Sequence, residues 1–163
     1  MKKILFAMMA LFATCTMSAQ DAPTKIITGH PDFKVQVKRC AASGTTMVVD
    51  LVLSNEGTKD IDDIVLVGSA WERSEAYDDE GNMYKERNGT NISIKVSNMK
   101  EYESRESRFR LLTDVPMRVS VRIEGFSATA ERIALLKIGV QCRQWGLVEG
   151  KQITIRNIPI SRD

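Results

Sequence analysis

From Met117 to Glu124 the chain alternates without a break. Met117, Val119, Val121 and Ile123 fall on one side, Arg118, Ser120, Arg122 and Glu124 on the other. A period of two belongs to a strand with one buried and one wet face. The same alternation marks Met47, Val49, Leu51 and Leu53, then Ile92, Ile94 and Val96, then Leu136, Ile138, Val140 and Cys142, and the pair Ile153 and Ile155. Phe33, Val35 and Val37 set one further face, and Cys40 falls out of phase with it unless a bulge intervenes. Ile64 to Val67 is a continuous apolar run, which predicts a central strand covered on both faces.

Turn chemistry separates these runs. Ser43-Gly44, Asn55-Glu56-Gly57 and Asp79-Glu80-Gly81-Asn82 supply the residues that tolerate positive φ at hairpin ends. Asp114-Val115-Pro116 introduces the alternating strand, and Pro159 is tolerable only at a strand end or sheet edge. Helix signals are nearly absent, with Ala128 to Leu136 offering one short turn or helix. Residues 20 to 31 hold Pro23, Gly29 and Pro31 without sustained alternation, and read as an N-terminal arm. Short strands at this spacing predict an all-β antiparallel sandwich over residues 32–163.

The order of these motifs carries a resemblance. A strand ending in Asn-x-Gly (Val48 to Gly57), a hairpin with Asp-x-x-Gly-x-x-Tyr (within Ala76 to Tyr84) and a strand led by proline (Pro116 to Glu124) follow one another. This order resembles small uncharacterised immunoglobulin-like domains of exported bacterial proteins of the Bacteroidetes type, over about residues 33 to 142. The resemblance implies an immunoglobulin-like β-sandwich of about seven to nine strands, and it supplies no catalytic residues.

The first nineteen residues differ from the rest. Met1-Lys2-Lys3 is a basic start, Ile4 to Ala13 an apolar run, and Ala19 a small residue before Gln20, the order of a secretory signal peptide. The run falls short of the roughly 20 residues of a membrane span, and no other segment approaches that length, so no transmembrane span is expected. Cys15 is a lipidation candidate, although Phe12 and Thr14 stand where lipoprotein signals carry leucine and a small residue. Cleavage near Ala19 is the reading adopted, with the protein in the periplasm, at the cell surface or secreted.

Removing that leader changes the charge. It holds Lys2 and Lys3 of the 23 basic residues, so the remainder balances the 21 acids and gives no general affinity for nucleic acid. It also leaves Cys40 and Cys142, an even pair in a disulfide-permissive compartment. A bridge between them would close about 100 residues and stabilise by up to roughly 4.7 kcal/mol; the alternative is two buried thiols acting as small hydrophobes.

Chemistry is sparse. His30 is the single histidine and precedes the first strand, whereas nucleophilic triads need a positioned imidazole. No zinc-protease, nucleophile-elbow or phosphate-loop motif occurs, and no cofactor is implied. Asp60, Asp62, Asp63, Asp78, Asp79 and Glu80 form an acidic stretch without calcium-loop spacing, so no metal site is expected. Trp71, Tyr77 and Tyr84 cluster around one hairpin and are the candidate ligand-binding residues, since exposed rings stack on sugars or anchor partners; otherwise Trp71 fills the core and the tyrosines pair across strands. The function expected from the sequence is thus a non-catalytic exported binding or interaction module of the cell envelope or secreted fraction, its partner a protein or glycan. A structural or accessory subunit of an envelope assembly is the alternative, and a hydrolase the distant one.

Overall fold

The computed structural model of the chain describes residues 22–68, 74–85, 92–97, 106–142 and 152–162. Twelve strands run in chain order: β1 (Lys25–Ile27), β2 (Phe33–Ser43), β3 (Thr46–Asn55), β4 (Ile61–Val67), β5 (Glu75–Asp78), β6 (Met83–Tyr84), β7 (Ile92–Val96), β8 (Glu106–Leu111), β9 (Met117–Glu124), β10 (Arg132–Cys142), β11 (Gln152–Pro159) and β12 (Ser161–Arg162). They form an antiparallel β-sandwich. One sheet has the order β1-β11-β10-β4-β8, with β5 and β6 attached to β10; the other has the order β12-β2-β3-β9-β7. Among the described residues these twelve exceed the seven to nine expected, and the excess is β1, β6 and β12, of two or three residues each. Among the described residues no helix occurs.

The alternating faces meet in one core. Met47, Val49, Leu51 and Leu53 on β3 and Val119, Val121 and Ile123 on β9 join Ile133, Leu136 and Ile138 on β10 and Ile153 and Ile155 on β11, all at 1% exposure or less. The continuous run on β4 is buried on both faces, as a strand between β10 and β8 must be. Ile64 and Leu66 enter the main core, while Val65 and Val67 form a separate pair.

Two sequence expectations are corrected. The arm over residues 20 to 31 contains β1, which pairs antiparallel with β11 through Ile26 and Ile155; three residues are too few for periodicity to reveal. The stretch from Ala128 to Leu136 enters β10 at Arg132 instead of turning helically, because Ile133 to Leu136 pair with β11 on one side and β5 on the other. Tertiary pairing decides what weak local propensity left open.

Strand β10 carries an interrupted partner. Gly139 faces Val67 of β4, but Lys137, two residues away, faces Glu75 of β5. An unbroken antiparallel strand would bring residue 69 opposite Lys137, so six extra residues lie between the two halves. Ser74 closes the break from inside: its buried hydroxyl donates to the Val67 carbonyl and accepts the Gly139 N–H at 3.0 Å. Gly68 lies against the other sheet at this break, where a Cβ would sit 2.6 Å from the Ile92 carbonyl oxygen of β7. Only glycine lets the backbones approach so closely.

Candidate functional site

The aromatic hairpin does not assemble a ligand-binding face from its described members. Tyr84 is 3% exposed, stacks on Phe126 at a centroid distance of 4.6 Å, and donates its hydroxyl to Asp78 Oδ2 at 2.6 Å. That is a correction: the period-two position of Tyr84 on β6, opposite Ala76, turns its ring into the core. Tyr77 is half-buried, pairs with Met83 across the hairpin, and donates to Glu75 Oε2 at 3.2 Å. Trp71 lies outside the described residues, as does Cys15.

What the hairpin does build is a polar knot. Asp78 Oδ1 accepts the backbone N–H groups of Glu80 (3.0 Å) and Asn82 (2.8 Å), while Oδ2 accepts from the Asn82 amide and the Tyr84 phenol. Burial alone would push this carboxyl up, but the bonds from Tyr84, Asn82 and Glu80 outweigh it and hold it below the usual aspartate range. The Tyr84 phenol is pushed up to about 12, by burial first and by its bond to Asp78 second, and its oxygen accepts the Ser127 N–H at 3.0 Å. Each oxygen is committed to holding a loop, and the knot is structural.

The disulfide expectation is also corrected. Cys40 and Cys142 are both free and buried. The bulge that the phase of Cys40 demanded lies between Val37 and Arg39 and turns the thiol inward. There it contacts Met47 Sδ at 3.5 Å, in the β3-containing sheet, whereas Cys142 sits at the end of β10 in the other sheet, against the Asp62 carbonyl at 3.5 Å. Burial, and then the Asp50 charge, push the Cys40 thiol up to about 12, so little thiolate forms near neutral pH. In a Cys15→Ser chain, Ellman's reagent is expected to find no reactive thiol in the native state and both thiols in denaturant without reductant. Absence of thiol in the unfolded, unreduced chain would restore the bridge.

The remaining sequence candidates are local. His30 Nδ1 accepts the Asp32 N–H at 3.2 Å, within a turn that precedes β2. Asp62 pairs with Arg110, and Asp60 Oδ1 accepts the Thr113 N–H at 3.0 Å. Among the described residues, no group of three potential metal ligands converges.

The feature that sequence did not reveal is a groove on the side where β1, the edge of one sheet, faces β2 in the other. Two adjoining hollows of about 590 and 400 Å³ share Thr24 and Pro159. The smaller is lined by Ile26, Val37 and Ile158 together with Lys38 and Arg39; the larger by Arg132, Arg162 and Glu131, among others. Strand β12 builds the mouth. It leaves β11 beyond Pro159, crosses to the other sheet, and pairs in parallel with Ala41 and Ala42 of β2. That crossing fixes the Arg162 guanidinium, which donates from Nη2 to the carbonyls of Ser127 (3.0 Å) and Ala130 (2.5 Å). Arg132 Nε lies 3.7 Å from Asp79 Oδ2. Among the described residues, Lys38, Arg39, Arg132 and Arg162 line the joined groove with one acid, Glu131, while Asp79 sits against Arg132. The only sequence trace of this is a scatter of basic residues on separate strands.

The fold defines the class, an antiparallel β-sandwich. No family model matches the chain, and no curated protein matches it. Among solved structures it is similar to a family 123 glycoside hydrolase from Clostridium perfringens, described in a structural analysis of glycolipid glycan hydrolysis. The TM-score is 0.38 and the identity 12%, and the match covers 75% of this chain and 22% of that one. The chain therefore spans about a fifth of the length of the protein it matches. The non-catalytic module expected from the sequence is corrected on this finding, since the named structure is a hydrolase and gives that assignment no footing. At this score the likeness carries no argument for hydrolysis either.

Proposed function

We propose that the chain is an exported β-sandwich protein that holds an anionic ligand in the groove between β1 and β2. The observation that carries this reading is the fixed Arg162 guanidinium at the groove mouth. A guanidinium offers five N–H donors in a rigid fork. Two carbonyl contacts, both through Nη2, orient the group and leave the donors of its other nitrogens for a carboxylate, sulfate or phosphate. Lys38, Arg39 and Arg132 extend the same sign of charge along the groove, where walls of low dielectric strengthen attraction relative to open water. The bland account is four solvated cations on a surface of balanced charge. Against it stands their convergence on one concavity from three separate strands, β2, β10 and β12, that share no sequence signal.

Titration calorimetry with inorganic pyrophosphate tests the reading. Arg162→Ala is expected to weaken binding by about tenfold or more, the effect of losing a charge-assisted hydrogen bond. Arg156→Ala removes the same charge from an exposed position on β11 outside the groove lining, and is expected to leave affinity within about twofold. Equal losses from both variants would reduce the effect to net charge and overturn the site.

A further inference from the structure

Resting on the anionic-groove reading, we infer that the groove receives an extended acidic peptide segment, which adds as a strand to the free edge of β2.

Strand β2 is eleven residues long, and β3 pairs with it along its inner side from Phe33 to Ser43. On its outer side, among the described residues, β12 pairs with Ala41 and Ala42, and the Ser161 hydroxyl donates to the Cys40 carbonyl at 3.0 Å. From Lys34 to Val37 no strand pairs with the outer side among the described residues. Alternate residues of such an edge direct their N–H and C=O groups outward, which is the template that strand addition uses. The opposing edge is the three-residue β1, which belongs to the other sheet and pairs with β11.

The side chains along that edge set the chemistry. Val35 and Val37 are half-buried and pack against the core with Ile26 and Ile160, whereas Lys34, Gln36 and Lys38 are exposed. Neighbouring strands present matched faces, so alternate apolar side chains of an incoming strand would continue the row of Val35 and Val37 over Ile26 and Ile158. Its intervening side chains would lie beside Lys34 and Lys38. A second copy of β2 is disfavoured there, because antiparallel self-pairing sets lysine against lysine, and edge lysines block that association. Lys38 complements aspartate or glutamate, and Lys34 does so in exchange for Glu56, whose Oε2 lies 3.7 Å from its ammonium. The bulge between Val37 and Arg39 ends the regular edge and sets one limit of the docked segment. The occupant is therefore short, alternating and acidic.

The test uses the folded full chain and three probes: a peptide alternating valine with glutamate, the same peptide with prolines at alternate positions, and inorganic pyrophosphate. The proline peptide keeps the charge and removes backbone donors. The expected result is that the first peptide binds about tenfold or more tightly than its proline counterpart. Amide hydrogen exchange is expected to slow within Lys34–Lys38, and Lys34→Glu with Lys38→Glu is expected to abolish the peptide signal. Equal binding of the two peptides, or protection on β8 in place of β2, overturns strand addition. Arg162-dependent binding of pyrophosphate without peptide binding also overturns it, and leaves the anionic groove standing. If no probe binds, both readings fall.

Discussion

Replacing Asn55 with alanine is expected to destabilise the protein by about 2–3 kcal/mol, lowering Tm by about 5–10 °C. Asn55 is 1% exposed at the end of β3, where three segments converge. Its amide nitrogen donates to the Lys59 carbonyl at 2.8 Å, and to the Leu111 carbonyl and the Thr113 hydroxyl at 3.4 Å each. Its oxygen accepts the Gly57 N–H at 3.0 Å. Alanine keeps the strand and leaves these groups without their side-chain partner, and burial makes that expensive. Asn55→Asp sharpens the test. The shape and the acceptor for Gly57 survive, but a carboxylate then faces carbonyl oxygens, so Asp is expected to be at least as damaging as Ala. An Asp variant with native Tm would show that the donor half of the amide holds nothing together.

The second large effect is at Tyr84. Tyr84→Phe preserves the stack on Phe126 and deletes one hydroxyl, together with its bonds to Asp78 and Ser127. A hydrogen bond to a buried charge contributes about 1.5–3 kcal/mol, and that is the expected loss at pH 7. The pH dependence has a definite sign. Asp78 titrates below its unfolded value when folded, so its contribution is fully present above the unfolded aspartate pKa of about 3.9 and is lost as pH falls through the lower folded value. The gap in Tm between wild type and Tyr84→Phe is therefore expected to be wide at neutral pH and to narrow in strong acid. Asp78→Asn is expected to flatten the acid limb of the wild-type stability profile. A gap independent of pH would place the effect in packing and not in the carboxylate.

The sequence exposes those elements whose environment repeats along the chain. β3 and β9 are visible because every second residue enters the core, and β4 because both its faces are covered. The bulge before Cys40 is visible as a phase error, and its effect is to bury a thiol; no spacing rule could show that Met47, not Cys142, waits there. β6 is visible only through its hairpin turn, whereas β1 and β12 escape notice because two or three residues carry no period and take their conformation from a partner far along the chain. The site is harder still. Tyr84 looks like a ligand-stacking ring until its register opposite Ala76 is known, and Arg162 looks like a terminal surface charge until β12 is seen crossing between sheets. Side-chain type is local information, whereas convergence is a property of topology.

The interrupted strand along β10 divides one position in the sheet between two separate pairings. Both halves hold their register through their own pairing with β10, so neither depends on the length of chain between them. Its anchors are strict: Gly68 admits no side chain beside Ile92, and Ser74 holds Val67 and Gly139 together. Two separate pairings with β10, pinned at Gly68 and Ser74, thus occupy the place of one continuous strand.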